Sequence, residues 1–408
     1  MITFKNTNKA IKRLALALKN DEKIGIWSDY DLDGTFALAL AYEALLNAGF
    51  KKKNLAISLP NQFKYRRSFN KFHLSLLKKA GIKLILGIDF GTTDFKEVGW
   101  AKKMGFEVIL LDHHRQRPGN LPALLINPWQ KGDDSKVKNW SGTGVAYLFF
   151  ENFYNFLKLD PKKLENSIDL ILIPALTDYI QINNGNLPYL KKSLAKIKNG
   201  KRPGLSISLK QIGLNKDLNI KKFEEKRAVL CDFYGTLKGN GEQNNVFNML
   251  LSKDKKNALK ISNQTKKDFL IFEKYVNSMV KQGIKKFSAQ KRKNKKLKFI
   301  FWGTNKCIGM TGVGSKIATG LNHYFKIPVY FYNKEKDIMK GSVRAGYSKD
   351  FNVVDSLKET PRLFVAFGGH PRAAGFYISK KNLPTLERSL EKFYNNHIVS
   401  ISKQQIFS

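Results

Sequence analysis

The chain has 408 residues, which is long for a single hydrophobic core and sufficient for two domains with connecting helices. Hydrophobic residues make up 42% and charged residues 26%, a balance that excludes a wholly disordered chain. The formal net charge of +39 should attract polyanions, so nucleic acid is the expected partner, although a general enrichment in lysine would give the same charge.

The sequence also carries information on the cellular compartment of the protein. No stretch approaches the roughly 20 apolar residues of a membrane-spanning helix, and the first apolar run is interrupted by Lys and Asn instead of leading to a cleavage site. The two cysteines, Cys231 and Cys307, form neither a CxxC pair nor a zinc-site pattern. We therefore expect a cytoplasmic protein whose thiols remain reduced.

Short apolar segments in the first half of the chain predict buried parallel strands. Residues 24–28, 84–89 and 107–112 each end in a polar cluster. Between the first two, Phe36–Ala48 has apolar residues at helical spacing and is followed by glycine, which predicts a helix. The alternation predicts a doubly wound α/β domain with a parallel sheet, which we place at residues 1–215.

The second half begins with a different composition. Residues 216–296 are polar and rich in Lys, which predicts a helical connector, and a basic cluster (KRKNKKLK) occupies 291–298. Residues 297–302 and 327–332 return to short apolar runs of the strand type. A second, smaller α/β domain is therefore expected over 297–408.

The first polar cluster is acidic. Asp29, Asp31 and Asp33 alternate in DYDLDG directly after the first apolar segment, so an extended backbone places their carboxylates on one side. Three carboxylates at such spacing repel one another unless a cation binds them, and Mg²⁺ or Mn²⁺ prefers oxygen ligands. A helix N-cap or a calcium loop would use similar residues, but no glutamate follows at the EF-hand spacing. The cluster therefore indicates a metal site.

Two further clusters follow the next two segments: Asp89 comes after one and Asp112-His113-His114 after the other. The carboxyl ends of strands in an open α/β sheet meet at the edge where ligands bind. Adjacent histidines point to different sides, so one can bind metal while the other faces a phosphate. A fourth apolar stretch leads to Asp178 and predicts another strand end, although a helix cap would also explain it. Together these residues predict one site for two ions.

The order DxDxDG, IDxG, DHH and a later Asp resembles the motifs of the DHH phosphoesterases. Other segments resemble RecJ-type single-strand exonucleases, and two near the end of the chain resemble the DHHA1 substrate-binding domain. The RecJ-like segments are Pro60-Asn61, Ile126–Pro128, Ser141–Ala146 and Arg202–Leu205. The DHHA1-like segments are Lys340–Arg344 and Phe367–Phe376. The resemblance implies a DHH catalytic domain, a helical connector and a DHHA1 domain.

The chain departs from the longer RecJ proteins in two places. Residues 62–70 read QFKYRRSFN where RecJ proteins usually have Gly-Tyr-Gly, so the resemblance does not extend to this segment. Only about thirty residues follow Phe376, too few for the OB-fold and the further C-terminal domain of longer bacterial RecJ proteins. The resemblance is therefore closer to the compact archaeal forms.

The resemblance also implies roles for individual residues. The implied metal ligands are Asp31, Asp33, Asp89, His113 and Asp178, with Asp29 either a further ligand or a supporting carboxylate. Asp178 would bridge two ions, His114 would contact the substrate phosphate and Asp112 would orient the histidines. The implied substrate-binding residues of the DHHA1 domain are Ser342, Arg344, Gly368, Gly369 and His370. There the glycines let backbone N–H groups approach an anion, while Arg344 and His370 bind phosphate.

The implied function is a metal-dependent phosphodiesterase, a RecJ-like 5′ to 3′ exonuclease that hydrolyses single-stranded DNA or RNA with two Mn²⁺ or Mg²⁺ ions. One alternative is a DHH-family oligoribonuclease or dinucleotide phosphodiesterase. Another is a scaffold that binds replication or repair proteins, which the presence of all the expected ligands disfavours. The sequence leaves open DNA against RNA, Mn²⁺ against Mg²⁺, and the protein partners.

Overall fold

The computed structural model of the chain describes residues 1–58, 68–116, 119–235, 245–293, 297–307, 312–335, 338–346 and 352–404. Two compact units are present, Met1–Lys267 and Asp268–Ser408. The boundary between them falls inside the segment predicted as a connector, and the three-part division remains a prediction. The Pro60-Asn61 segment, residues 62–67 and residues 294–296 of the basic cluster lie outside the described residues.

The first unit contains a five-stranded parallel sheet. Its strands are β1 (Ile24–Ser28), β2 (Leu55–Ser58), β3 (Leu84–Ile88), β4 (Glu107–Leu111) and β5 (Leu124–Ile126), in the order β2-β1-β3-β4-β5. All four pairings are parallel. Every residue of β1 and β3 is buried, as expected for strands covered on both faces, where apolar residues run without alternation.

Helices cover both faces of this sheet. The helices from the N-terminus through the one that follows β5 are α1 (Thr7–Lys19), α2 (Leu32–Ala48), α3 (Lys71–Lys79), α4 (Phe95–Lys103) and α5 (Gly142–Phe156). Leu74 of α3 and Val98 of α4 pack in one core with Trp27 of β1, whereas α2 and α5 contact the sheet from the other side. The predicted doubly wound α/β fold is therefore confirmed.

The remaining helices of the first unit follow the sheet. They are α6 (Pro161–Glu165), α7 (Leu172–Thr177), α8 (Leu187–Lys198), α9 (Pro203–Gln211), α10 (Ile220–Glu225), α11 (Arg227–Gly235) and α12 (Asn245–Leu251). Helix α13 (Lys255–Lys293) begins in the first unit and continues into the second. Most of the described residues in the segment 216–296 are helical, as predicted, but residues 216–219 and 252–254 are not. No helix among the described residues is long and apolar enough to cross a membrane.

Helix α2 begins one turn earlier than predicted. Its N-cap is Asp31, whose side-chain Oδ1 accepts a hydrogen bond of 2.9 Å from the N–H of Gly34. The helix ends at Gly49, whose φ of 111° lies in the left-handed region that favours glycine. The second and third aspartates of the acidic cluster therefore lie at the start of α2, while Asp29 remains at the end of β1.

The expectation of a strand before Asp178 was wrong. The apolar run forms a short 3₁₀ helix, Ile168–Leu170, followed by α7, and Asp178 is the residue at the C-terminal end of α7. Its backbone N–H donates to Pro174 O at 2.9 Å, which closes the last helical turn. A short buried apolar run fits a strand and a fully buried helix equally well, so its composition could not distinguish them.

The second unit contains a mixed five-stranded sheet. Its strands are β6 (Ile300–Cys307), β7 (Val329–Glu335), β8 (Ile338–Arg344), β9 (Phe364–His370) and β10 (Ala373–Ser379), in the order β6-β7-β8-β10-β9. Only β6 and β7 are parallel. Its helices are the second part of α13, α14 (Val313–Phe325), α15 (Val353–Lys358) and α16 (Leu383–Gln404). The expected second α/β domain is present.

Candidate metal centre

The first residue beyond each of β1, β3 and β4 is an aspartate, and its backbone N–H continues the hydrogen bonding of the sheet. The three hydrogen bonds run from Asp29 to Ile88 O (3.2 Å), from Asp89 to Leu111 O (2.8 Å) and from Asp112 to Ile126 O (3.1 Å). All three aspartates are buried. The parallel topology thus brings three carboxylates, far apart in sequence, to the carboxyl edge of one sheet, where ligands bind in such folds.

Asp33 connects this edge to helix α5. Its Oδ2 accepts a hydrogen bond of 2.6 Å from the N–H of Gly142, and its Oδ1 accepts bonds of 2.9 and 2.6 Å from the N–H and the hydroxyl of Thr143. The carboxylate therefore satisfies N–H groups at the start of α5, which have no partner within their own helix. Because these bonds fix the carboxylate, Asp33 is held in one orientation at the site.

His113 lies among three of the carboxylates. Its Nε2 is 3.1 Å from Asp178 Oδ2, 3.2 Å from Asp89 Oδ1 and 3.8 Å from Asp33 Oδ2. Neither His113 Nε2 nor Asp89 Oδ1 has a hydrogen bond of acceptable geometry, although both atoms are buried. A buried polar atom without a partner is costly, so these atoms fit a group that would bind them both.

The charges of these residues also favour a cation. Burial, together with the neighbouring carboxylates of Asp33 and Asp31, raises the pKa of Asp89 well above its usual value. Burial and the negative charge of Asp178 raise the pKa of Asp33 to about 6. For His113 burial acts in the opposite direction, but its contacts with Asp178 and Asp89 outweigh burial and raise its pKa. The site therefore stabilises positive charge.

Three groups of side chains have ligand atoms that lie within 4.8 Å of one another. They are Asp89-His113-His114, Asp33-His113-Asp178 and Asp29-Asp31-Asp89. Every residue predicted to bind metal belongs to at least one group. Carboxylate oxygens with one or two imidazole nitrogens are a donor set that Mn²⁺ and Mg²⁺ accept. The residues present therefore fit divalent ions, while the assignment of each ligand stays a prediction.

Asp112 contacts the histidines and lies outside these three groups. Its Oδ1 is 2.7 Å from Nδ1 of His114 and accepts the N–H of His113 at 2.7 Å, while its Oδ2 accepts the N–H of Thr92 at 2.8 Å. Burial opposes ionisation of Asp112, but the hydrogen bond with His114 and the nearby histidine charges outweigh it and lower its pKa. This is the arrangement of a carboxylate that orients a histidine.

Thr92 has no role predicted from the sequence, although its contacts support the histidine segment. Asn127 Nδ2 donates to Thr92 Oγ1 at 2.8 Å and to the backbone oxygen of His114 at 2.9 Å. Asn127 belongs to the RecJ-like segment Ile126–Pro128, which was the available signal. These bonds tie the turn after β3, the histidine segment after β4 and the turn after β5 together.

Mn²⁺ binding should require glycine at position 142, because the backbone there lies against the Asp89 side chain. A Cβ atom at this position would lie 2.6 Å from Asp89 Cγ, so Gly142→Ala must displace the Asp89 carboxylate. We expect the variant to fold and to bind Mn²⁺ at least about tenfold more weakly, because displaced supporting contacts commonly cost that much. Isothermal titration with Mn²⁺ measures the loss.

The control for that substitution is Gly99→Ala. Gly99 lies within α4, where a Cβ atom would have no neighbour within 4 Å, so alanine is accommodated there without displacement. Its Mn²⁺ affinity should equal that of the unaltered chain. Equal affinity in Gly142→Ala would show that the Asp89 carboxylate is not part of the ion site.

The predicted substrate-binding residues of the second unit lie on neighbouring strands of its sheet. Directly opposed residues on adjacent antiparallel strands point to the same face. The register opposes Arg344, Ala373 and His370 in one row, and Ser342, Gly375 and Gly368 in another. The side chains of Ser342, Arg344 and His370 therefore point to one face of the sheet. Gly369 has a φ of 148°, which favours glycine.

Contacts with α14 hold Arg344 in place. Its Nε donates to Thr319 Oγ1 at 3.1 Å, its Nη2 donates to the hydroxyl of Ser315, and its Nη1 donates to Val343 O at 2.8 Å. The guanidinium is half-buried, whereas His370 is exposed. A positioned guanidinium on this face is compatible with phosphate binding, and this role of the DHHA1-like residues stays a prediction.

Comparisons with known proteins show which family and which relatives the chain resembles. Residues 23–174 match the model of the DHH family, N-terminal domain. The chain is 26% identical over 396 residues to the single-stranded-DNA-specific exonuclease RecJ of Bacillus subtilis. The alignment covers 96% of this chain and 48% of the Bacillus subtilis protein. The chain thus spans about half the length of this curated relative.

Solved structures show the same fold. A crystal structure of exonuclease RecJ bound to manganese superposes with a TM-score of 0.79 at 22% identity and covers 96% of this chain and 95% of that chain. RecJ of Thermus thermophilus in complex with Mn²⁺ superposes with a TM-score of 0.77 at 22% identity. The superposition covers 96% of this chain and 55% of the Thermus thermophilus chain. Residues 23–174 of this chain therefore match the N-terminal domain of the DHH family, and the chain shares its fold with solved RecJ structures.

Proposed function

We propose that the protein is a metal-dependent phosphodiesterase that degrades single-stranded DNA or RNA from its 5′ end. The observation that carries the proposal is the convergence of buried aspartates on His113, where Nε2 of the histidine and Oδ1 of Asp89 face each other without a hydrogen bond. The relatives named as single-stranded-DNA-specific exonucleases support this substrate class. The cytoplasmic location and the replication or repair partners stay predictions.

The ligands we propose for two Mn²⁺ or Mg²⁺ ions are Asp29, Asp31, Asp33, Asp89, His113 and Asp178. Bound divalent ions supply charge stabilisation to the scissile phosphate and activate water. Asp112 orients His114 so that its ring can donate a hydrogen bond to a phosphate oxygen. Asp33, fixed by the start of α5, holds its position without help from solvent, which reduces the reorganisation that binding requires.

A direct experiment compares labelled strands. The purified chain is incubated with 5′-labelled and 3′-labelled single strands of DNA and of RNA, with Mn²⁺, Mg²⁺ or EDTA. We expect hydrolysis with Mn²⁺ or Mg²⁺ and none with EDTA. Early release of a labelled mononucleotide from the 5′ end would support the proposed polarity, and release from the 3′ end first would contradict it.

Substitutions in the second unit should affect binding of the strand. We expect Arg344→Ala and His370→Ala to raise the Michaelis constant for a twenty-nucleotide strand by about tenfold, because each removes a charged or polar contact to phosphate. The number of Mn²⁺ ions bound should not change. Unchanged Michaelis constants in both variants would remove the DHHA1-like residues from the proposed substrate site.

Strand length and salt distinguish a polymer exonuclease from a dinucleotide hydrolase. If several of the many Lys and Arg side chains contact phosphates beyond the scissile bond, a longer strand releases more counterions, and its binding falls more steeply with salt. We expect strands of about ten or more nucleotides to be preferred over dinucleotides at low salt, and the preference to shrink as salt rises. Equal catalytic efficiency for both lengths at every salt concentration would favour the dinucleotide hydrolase.

A further inference from the structure

An arginine-aromatic pair lies immediately beyond the histidine segment. The guanidinium carbon of Arg115 is 3.3 Å from the centroid of the Trp129 ring, which is cation–π distance. Arg115 is exposed and Trp129 is half-buried. Arg115 follows His114 directly in the chain, so this pair lies at the rim of the candidate metal centre.

The backbone of this pair is held by the residues that support the site. The N–H of Trp129 donates to Asn127 Oδ1 at 2.8 Å, and the same asparagine donates to the backbone oxygen of His114 at 2.9 Å. The N–H of Lys131 donates to Gln116 Oε1 at 2.8 Å. Two sets of hydrogen bonds therefore fix the Trp129 turn to the Arg115 segment, so the pair has a defined position relative to His114.

A second pair of the same kind follows Asp178. The guanidinium carbon of Arg227 lies 4.3 Å from the centroid of the Tyr179 ring, and Tyr179 is 75% exposed. Its φ of 55° lies in the left-handed region, which is uncommon for a bulky residue and costs free energy. This conformation ends α7, where the N–H of Tyr179 donates to Leu176 O at 3.2 Å and the N–H of Ile180 donates to Ala175 O at 2.9 Å. The Tyr179 ring is thereby left exposed one residue beyond Asp178.

We propose that these two arginine-backed rings, Trp129 with Arg115 and Tyr179 with Arg227, are nucleobase subsites that receive unpaired bases of the strand bound at the metal centre. The inference rests on the proposed function, and it adds base-stacking residues to a site so far described only by its contacts to ions and phosphate. Bases of a single strand stack on aromatic rings and on guanidinium planes irrespective of sequence. The arginines add positive charge next to the phosphates that join those bases.

The position of both rings supports this role. Arg115 is two residues from His113, and Tyr179 is one residue from Asp178, while the side chains of His113 and Asp178 are 3.1 Å apart. Both pairs therefore border the same group of ligands. Ring stacking selects single strands over duplexes, because the bases of a duplex are already stacked on one another.

The test compares a base-bearing strand with a strand that has none. A fluorescein-labelled fifteen-nucleotide thymidine strand and a strand of fifteen tetrahydrofuran abasic residues carry the same phosphates. Binding of each to the full chain is measured by fluorescence anisotropy in EDTA, where hydrolysis does not occur. We expect Trp129→Ala and Tyr179→Ala each to weaken binding of the thymidine strand by roughly tenfold, and binding of the abasic strand by less than about twofold.

Matched variants separate stacking from other effects. Trp129→Phe and Tyr179→Phe retain a ring and should restore most of the affinity. Phe156 is the last residue of α5, at the end away from Gly142 and the candidate metal centre, and its ring is 50% exposed. Phe156→Ala should therefore leave the binding of both strands unchanged. The increase in melting temperature caused by Mn²⁺ should remain in Tyr179→Ala, because Asp178 is unaltered. Loss of that increase would show that Tyr179 acts through the ion site.

The outcomes also separate this inference from the proposed function. Equal weakening of both strands, or none, in the two alanine variants would overturn the nucleobase subsites even if hydrolysis is confirmed. Absence of Mn²⁺-dependent hydrolysis in the unaltered chain would overturn the proposed function. Base-dependent binding that is lost in the alanine variants would then still support the subsites.

Discussion

Replacement of Asp89 by asparagine should abolish Mn²⁺-dependent hydrolysis without unfolding the protein. Asp89 follows β3, is 1% exposed and lies 3.2 Å from His113 Nε2, so its carboxylate is central to the candidate centre. Its φ of 64° requires the left-handed region, which asparagine tolerates far better than alanine. Asparagine therefore removes the charge while it preserves the backbone conformation.

The expected loss in Mn²⁺ affinity and in hydrolysis is at least about 100-fold, because even supporting residues of metal sites cost about 10–100-fold when replaced. In EDTA the melting temperature of Asp89→Asn should equal or exceed that of the unaltered chain, because the substitution relieves repulsion among buried carboxylates. Scanning calorimetry with and without Mn²⁺ measures the melting temperature and its increase on Mn²⁺ binding. Release of nucleotides from a labelled single strand measures the loss in hydrolysis.

Asp217→Asn is the matched control for this substitution. Asp217 also has a left-handed φ, 46°, but its side chain is 89% exposed and its charged neighbour is Lys222. It should bind Mn²⁺ and hydrolyse single strands like the unaltered chain. Retained hydrolysis in Asp89→Asn after metal-free purification and reloading would contradict the proposed site.

Removal of the Arg202 side chain should destabilise the first unit by about 3–5 kcal/mol, the usual cost of leaving buried charges unpaired. Its guanidinium donates two hydrogen bonds of 2.7 Å to Glu43, two of 2.8 and 3.1 Å to Asp169 and one of 2.7 Å to Leu250 O. Burial raises the pKa of Asp169 even with this partner in place. Arg202→Ala would therefore leave two carboxylates without their counter-charge.

Urea unfolding followed by tryptophan fluorescence measures the change in stability. Arg202→Lys should recover only part of the loss, since an ammonium group cannot bind Glu43 and Asp169 with the same fork of donors. Lys51→Ala is the control: Lys51 pairs with Asp21 at 2.6 Å, but both side chains are more than half exposed. Such exposed pairs contribute less than about 1 kcal/mol. Equal losses for Arg202→Ala and Lys51→Ala would contradict the role of the buried pairing.

The Arg202 network connects helices that bear candidate ligands. Glu43 lies on α2, which carries Asp33 at its start, and Asp169 lies in the 3₁₀ turn that precedes α7 and Asp178. The sequence marked Arg202–Leu205 only as a segment that resembles RecJ proteins. The tertiary contacts give that segment a physical role in holding α2 beside the turn before α7.

The sequence by itself determined that the first unit is a parallel α/β domain, located three of its five strands and identified the candidate ligands that follow them. Short apolar runs that end in aspartate can be recognised from the sequence alone, because the hydrophobic pattern and the polar cluster lie within a few residues of each other. Asp29, Asp89 and Asp112 follow β1, β3 and β4 as the pattern requires. The topology rule that places ligands at the carboxyl edge then brings them together.

Only the tertiary structure decided the features that depend on contacts between distant segments. The apolar run before Asp178 could have been a strand or a helix, because a buried run has no periodicity to distinguish them. The bonds from Gly142 and Thr143 to Asp33 join residues more than one hundred positions apart, and no local pattern encodes them. The position of the Tyr179 ring depends on the left-handed conformation that ends α7, and that helix was not predicted from the sequence.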